Sequence, residues 1–372
     1  MITIKEINKK RDIKKFVDFP NKLYKDNEYY IPAFYQDELN MLNPKKNPAY
    51  EYCETKLFLA FKDNKIVGRI CALINHAYNK KKNLNQIRFC RFDVIDDFEV
   101  TKLLFDQVIK WAKERGLNQV IGPIGFSDLD KQGLLIEGFN EYSNTITLYN
   151  HPYYMHHLEK LGFVKDVDWV EYQVFAPEQM SERLIRLSEL IKRRYGYKLV
   201  KLKKRKEIAP YVNKAFAIVN ESFEHLYGVV PITEKQIELA VKQFVTLVNM
   251  DYLYIVENKE GEMVGFGIMV PSLNAATKKS NGRLFPLGFI RALKALRTHK
   301  VLDMYLVAVK PQYHGLGVNA LILAEGMQTA IKNGVEYAET GPELESNEEV
   351  KSQWKEFKTR QHRRRRCYKL DL

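Results

Sequence analysis

The chain is short of cysteine, of long apolar runs and of RNA-binding patterns, and each shortage narrows what it can be. It has four cysteines in 372 residues, Cys53, Cys71, Cys90 and Cys367. None forms a CxxC pair and no nearby histidine completes a zinc pattern, so reduced, mostly buried thiols are expected and no metal is. Nothing points to a catalytic cysteine. No apolar run approaches the roughly 20 residues that span a bilayer. The first residues, Met1-Ile2-Thr3-Ile4-Lys5-Glu6, lack the apolar region of a signal peptide. A cytoplasmic protein without a membrane partner is the expectation. Lysine and arginine occur in short runs, at 80–82, 201–206, 278–279 and 363–366, none interleaved with glycine and aromatics as in an RNA-binding strand. Nucleic acid is therefore not an expected partner.

What is present is an ordinary globular composition, 45% hydrophobic and 28% charged, with a net charge of +13. The length suits two domains, each able to bury its own core. The positive balance favours polyanions, phosphate-bearing ligands among them, without choosing between them.

The two halves repeat one order of elements. Residues 57–61 and 66–74 read as a hairpin across the turn Lys62-Asp63-Asn64-Lys65. A third strand candidate covers 87–94. Val100, Leu104, Val108 and Trp111 then form a helical stripe that stops at Gly116, and Val120-Ile121 leads into Gly122-Pro123. In the second half, residues 252–256 and 263–270 repeat the hairpin and 302–309 the third strand. Leu321, Ala324, Met327 and Ile331 repeat the stripe, Gly334 the stop, and residues 335–340 lead into Gly341-Pro342. Two dipeptide matches in the same order, Val67-Gly68 with Val264-Gly265 and Gly122-Pro123 with Gly341-Pro342, suggest a duplicated unit of about 200 residues. Domains over 1–176 and 177–372 are expected. Chance similarity of hairpins is the competing reading.

The stretch that carries chemistry is Met304-Tyr305-Leu306-Val307-Ala308-Val309-Lys310-Pro311-Gln312-Tyr313-His314-Gly315-Leu316-Gly317-Val318. An apolar strand runs into a glycine-bearing turn that opens a helix. The first N–H groups of a helix have no partner within it, and they carry the positive end of its dipole. A phosphate docks there readily, and glycines let the backbone approach it. A glycine turn that only reverses the chain would share these glycines.

Here the sequence resembles the GNAT acyltransferase family, whose loop for the coenzyme A pyrophosphate reads Gln or Arg, two residues, Gly, one residue, then Gly or Ala. Gln312, Gly315 and Gly317 match. The resemblance implies an α/β (α+β) chain of two tandem GNAT-like domains, each a mixed twisted sheet flanked by helices, and similar to uncharacterised tandem proteins of bacteria. It implies acetyl-CoA or another acyl-CoA as donor, the loop Gln312, Tyr313, His314, Gly315, Leu316, Gly317 and Val318 on its phosphates, and the backbone of Val307 and Val309 on its pantetheine. Asn347 and Val350 fit a further family pattern beside the thioester. That pattern's tyrosine, commonly the acid for the leaving thiolate, is replaced by Trp354, so the acid is missing or lies elsewhere; Tyr368 and Tyr337 are the candidates. By the same resemblance Asp303, four residues before Val307, is the candidate general base. Strict alternation would put Asp303, Tyr305, Val307 and Val309 on one face. Glu339 is a second acidic candidate.

The first unit has Asp93-Val94-Ile95-Asp96-Asp97-Phe98-Glu99 where the glycine loop belongs. Its acids would repel a pyrophosphate. One CoA per chain is therefore expected. The implied activity is N-acyl transfer to a small-molecule or peptide amine acceptor. Two alternatives stay open: an inactive CoA-binding or interaction module, and a tandem transferase using aminoacyl-tRNA. The sequence leaves open monomer or homodimer, and three roles for Arg363 to Arg366: solvated edge strand, CoA phosphate contact or acidic-substrate patch.

Overall fold

The structure, a computed structural model, describes residues 1–244 and 248–372. In chain order its strands are β1 (Ile2–Ile7), β2 (Cys53–Lys62), β3 (Lys65–Asn75), β4 (Gln86–Val94), β5 (Gln119–Gly122), β6 (Leu134–Glu137), β7 (Val164–Phe175), β8 (Lys198–Val200), β9 (Leu253–Glu257), β10 (Met263–Pro271), β11 (Val301–Val309), β12 (Tyr337–Glu339), β13 (Glu343–Leu344) and β14 (Thr359–Asp371). The chain forms two compact units. Unit 1 comprises Met1–Val170, Asn274–Ala292 and His362–Leu372, and unit 2 comprises Glu171–Leu273 and Leu293–Gln361.

Unit 1 is a sheet in the order β1-β2-β3-β4-β5-β14. Only the β4–β5 pair is parallel, which its long helical crossover, the helix Phe98–Glu114, allows. That helix buries Val100, Leu104, Phe105, Val108 and Trp111, the stripe read from the sequence with Phe105 added. It sits close to the sheet because Gly68 of β3 has no side chain: a Cβ there would lie 2.9 Å from Leu104 Cδ1.

Unit 2 repeats the plan with β8-β9-β10-β11-β12 and the residues of β7 from Glu171 on. Its parallel pair is β11–β12, joined by the helix Val318–Lys332. Gly265 and Gly267 of β10 serve as Gly68 does. Their Cβ atoms would fall 2.7 Å from Val318 and 2.6 Å from Ile322, so the first turns of the helix are fixed against the sheet. The hairpin, strand, helix, strand order thus recurs in both units, as the sequence suggested.

The edges of the units differ from the sequence division at 176 and 177. The units part at Val170 and Glu171, and two later segments lie in unit 1. One is the end of β14, where Tyr368 stands opposite Gly122 and Leu370 opposite Val120 of β5. Strand pairing is non-local, so an apolar alternating segment does not announce its partner.

The arginine run of β14 is structural. In unit 1, Arg363 and Arg365 are buried on one side, donating to the carbonyl oxygens of Tyr142 and Leu148. Arg364 and Arg366 turn to the other side and reach Asp168, at 3.2 and 2.8 Å. The four cysteines are buried and free. Among the described residues, none group as a metal site and no helix is long and apolar enough to cross a membrane.

Candidate functional site

Strands β11 and β12 pair over three positions only: Val301 with Tyr337, Leu302 with Ala338 and Asp303 with Glu339. Beyond Asp303, among the described residues, no strand continues beside β11 on that side, while β10 follows it on the other as far as Val309. The pair therefore opens as a fork with Asp303 and Glu339 at its apex. Both carboxylates are buried, and Glu339 accepts a hydrogen bond from Gln173 at 3.4 Å.

The loop at the far end of β11 is held by short polar contacts. Lys310 N donates to Val264 O at 2.9 Å. Tyr313 Oη accepts from Asn258 Nδ2 at 2.9 Å. The carbonyl of Val309 accepts both His314 Nε2 at 2.9 Å and Ser222 Oγ at 2.7 Å. Gln312, His314 and Gly315 are exposed, Leu316 is half-buried, and Val318 is buried. Gly315 and Gly317 both have positive φ, 73° and 85°, which strains any side chain. Gly317 is the N-cap of the helix Val318–Lys332, and no side chain caps that end. The first-turn N–H groups are thereby left facing the loop, a site suited to an anion.

Unit 1 fills the corresponding places with its own side chains. Asp97 caps the helix Phe98–Glu114, accepting from Glu99 N at 3.1 Å. A hydrogen bond from Lys62 holds its carboxyl below the usual carboxylate range. At the end of β4, Val94 N donates to Tyr154 Oη at 2.8 Å, and Val94 O accepts Tyr153 Oη at 2.6 Å. In unit 1 the Asp97 carboxylate thus takes the helix end, and the two tyrosines take the main chain of Val94.

A β-bulge overturns the expected alternation along β11. Ile268 faces Leu306 and Met269 faces Met304, so Tyr305 is the extra residue. Leu302 and Met304 then share the face of Val307 and Val309, packed with Leu321 and Ile322, while Leu306 and Ala308 face Ile218 and Val219. Asp303 thus points away from the face of Val307 and Val309. A one-residue insertion reverses every side chain beyond it, and nothing in the local pattern marks the position.

The other candidates fall as follows. Asn347 caps the helix Glu348–Gln353, its Oδ1 accepting from Val350 N at 3.2 Å. Tyr337 lies at the base of the fork opposite Val301, its ring 6.0 Å from that of Phe175. Tyr368 lies in the core of unit 1 with Phe89 and Leu158, and burial pushes its phenol up to about 12. It is not part of unit 2, which carries the loop.

The sequence reading missed Glu343. It sits on β13, and Trp354 Nε1 donates to both its carboxylate oxygens, at 3.2 and 2.9 Å. Burial pushes its carboxyl up to about 7, against the opposing effect of the tryptophan bond. An acid directly after Gly341-Pro342 was the available signal. Asn319, in the first turn of the loop's helix, also donates to Gln353, next to Trp354. The adjacent residues Gln353 and Trp354 thus bond to the loop's helix and to Glu343 respectively.

No family model matches the chain. Protein YghO of Escherichia coli (strain K12) is 27% identical over 370 residues, covering 98% of this chain and 94% of that protein. A bacterial ceramide synthase of Caulobacter vibrioides (strain NA1000 / CB15N) is 24% identical over 302 residues, 78% of this chain and 75% of that one. Among solved structures, a tandem GNAT protein from the clavulanic acid biosynthesis pathway superposes with a TM-score of 0.57 at 10% identity, covering 100% of this chain and 98% of that one. That likeness shows that the chain has the fold of a tandem GNAT protein.

Proposed function

We propose that the protein is an acyl-CoA-dependent N-acyltransferase whose donor binds unit 2. The observation that carries this reading is the contrast between the units: the helix end after β11 has a glycine cap and no capping side chain, while its counterpart after β4 is capped by Asp97. The CoA phosphates would lie on Gln312 to Val318, and the pantetheine along Val307 and Val309. Acetyl-CoA is the first donor to test.

The thioester supplies an activated acyl carbonyl. The protein must take one proton from the amine as the new C–N bond forms, and give one to the sulfur as the C–S bond breaks. Asp303 and Glu339, paired at the apex of the fork, are the candidate bases. Glu343 is the candidate acid. Burial raises its carboxyl to about 7, and it is held by Trp354, which stands where the family pattern has tyrosine.

The acceptor reading draws on the ceramide synthase relative. A ceramide is an N-acylated long-chain amino alcohol, so that named activity makes the same amide bond proposed here. A long-chain amine is accordingly the acceptor class to place beside short amines and peptides.

Titration calorimetry with CoA and acetyl-CoA tests the donor site: one molecule per chain is expected, and no heat at high micromolar CoA would sink the reading. Release of free thiol with a panel of amines tests turnover. Binding without release would leave the inactive module.

A further inference from the structure

We infer that residues 284–290 form a docking surface for an anionic lipid bilayer. The segment lies between β10 and β11 and carries Leu284, Phe285, Leu287, Phe289 and Ile290 with their side chains outward. Phe285 is 79% exposed, Leu287 55%, Ile290 53% and Phe289 41%. Single exposed apolar residues are normal, but five within seven positions need an account.

The tip is not a loose loop. At its base, within unit 1, Tyr35 N donates to Gly282 O at 2.8 Å. Arg283 Nη2 reaches Asp18 Oδ1 at 2.7 Å. Arg291 Nη1 donates to Lys279 O at 2.8 Å and Ser280 Oγ at 3.2 Å. The rings of Phe285 and Phe289 lie 5.9 Å apart. The fold thus anchors the two ends and presents the apolar side chains between them to solvent.

Charge selects the occupant. Between Glu262 and Asp303 the sequence has no acidic residue, and within unit 1 the segment carries Lys278, Lys279, Arg283 and Arg291, of which Arg283 is paired with Asp18. A second copy docked face to face would bring these cations against their own kind. An anionic headgroup layer accepts them while the phenylalanines and leucines enter the acyl boundary, the usual composition of interfacial segments. The sequence expectation of no membrane partner rested on the missing spanning run; a segment lying in the interface needs none.

The test is co-sedimentation of the full chain with vesicles of phosphatidylglycerol and phosphatidylethanolamine, beside vesicles of phosphatidylcholine. Sedimentation with the anionic vesicles alone, weakened by salt, is expected. The Phe285→Ser, Ile290→Ser double variant should bind at least about tenfold more weakly. Its thermal midpoint should be unchanged, because these side chains already face water. Absence of wild-type binding would overturn the proposal. Undiminished binding by the double variant would also overturn it, by assigning the effect to the general positive charge. So would an oligomer without lipid that the double variant dissociates, since that makes the face a contact between copies.

Discussion

Trp354 shares its single indole N–H in hydrogen bonds to both carboxylate oxygens of Glu343, 3.2 Å from one and 2.9 Å from the other. An indole N–H is too weak an acid to protonate a leaving thiolate, and the carboxyl that Trp354 holds is the candidate acid. Burial is the chief reason that Glu343 keeps its proton up to about pH 7.

If Glu343 is the acid, kcat should fall as pH rises through about 7. Glu343→Gln should remove that limb and lower kcat by roughly 10²–10⁴, with CoA binding unchanged. A pH–rate profile of both proteins checks this, and an unaltered limb would exclude Glu343.

The same group predicts a stability trend. Its folded pKa is raised from 4.5 to about 7, so the folded state binds the proton more tightly than the unfolded chain. The associated stability is fully present below pH 4.5 and is lost as pH rises to about 7. The difference in thermal midpoint between the wild type and Glu343→Gln should move in that direction across that window.

Gly315 and Gly317 should fail for different reasons. Gly315 has no neighbour within 4 Å, so Gly315→Ala meets only its positive φ, a cost of about 1–2 kcal/mol. Gly317→Ala adds to that strain a Cβ 2.7 Å from Ile191 Cδ1. Calorimetry should show weaker CoA binding for both, and thermal unfolding the larger loss for Gly317→Ala.

Asp97→Ala removes the cap of the helix Phe98–Glu114 and should cost about 1 kcal/mol. CoA stoichiometry should stay at one per chain, because Tyr153 and Tyr154 still occupy Val94. Two molecules bound by the wild type would refute the filled site in unit 1.

Asp168 is fully buried with Arg364, Arg366 and Lys165 around it. Burial alone would raise its pKa, but hydrogen bonds from Arg366 and Lys165 outweigh that and hold it low. Its contribution to stability is therefore present above the ordinary carboxylate pKa and is lost as pH falls through its own. Asp168→Asn removes the charge that the partly exposed Arg364, Arg366 and Lys165 share, and should destabilise the fold by roughly 1–3 kcal/mol in denaturant unfolding.

The sequence by itself determined what depends on neighbours along the chain. The hairpins, the stripes of the helices Phe98–Glu114 and Val318–Lys332, and the glycines of the loop are local patterns, set by periodicity and by the φ values that only glycine takes freely. The acids at Asp96 and Asp97 are local too, and their charge is what makes unit 1 read as a poor phosphate site. Tertiary structure decided the rest. It placed Tyr368 in unit 1 through a strand pairing more than two hundred positions away in sequence, with Gly122. It inserted Tyr305 as a bulge and so turned Asp303 from the face of Val307 and Val309. It brought Glu343 against Trp354, and burial gave that carboxyl a pKa that an exposed glutamate lacks. Pairing, register and desolvation are properties of what packs against a residue, and a linear sequence does not state them.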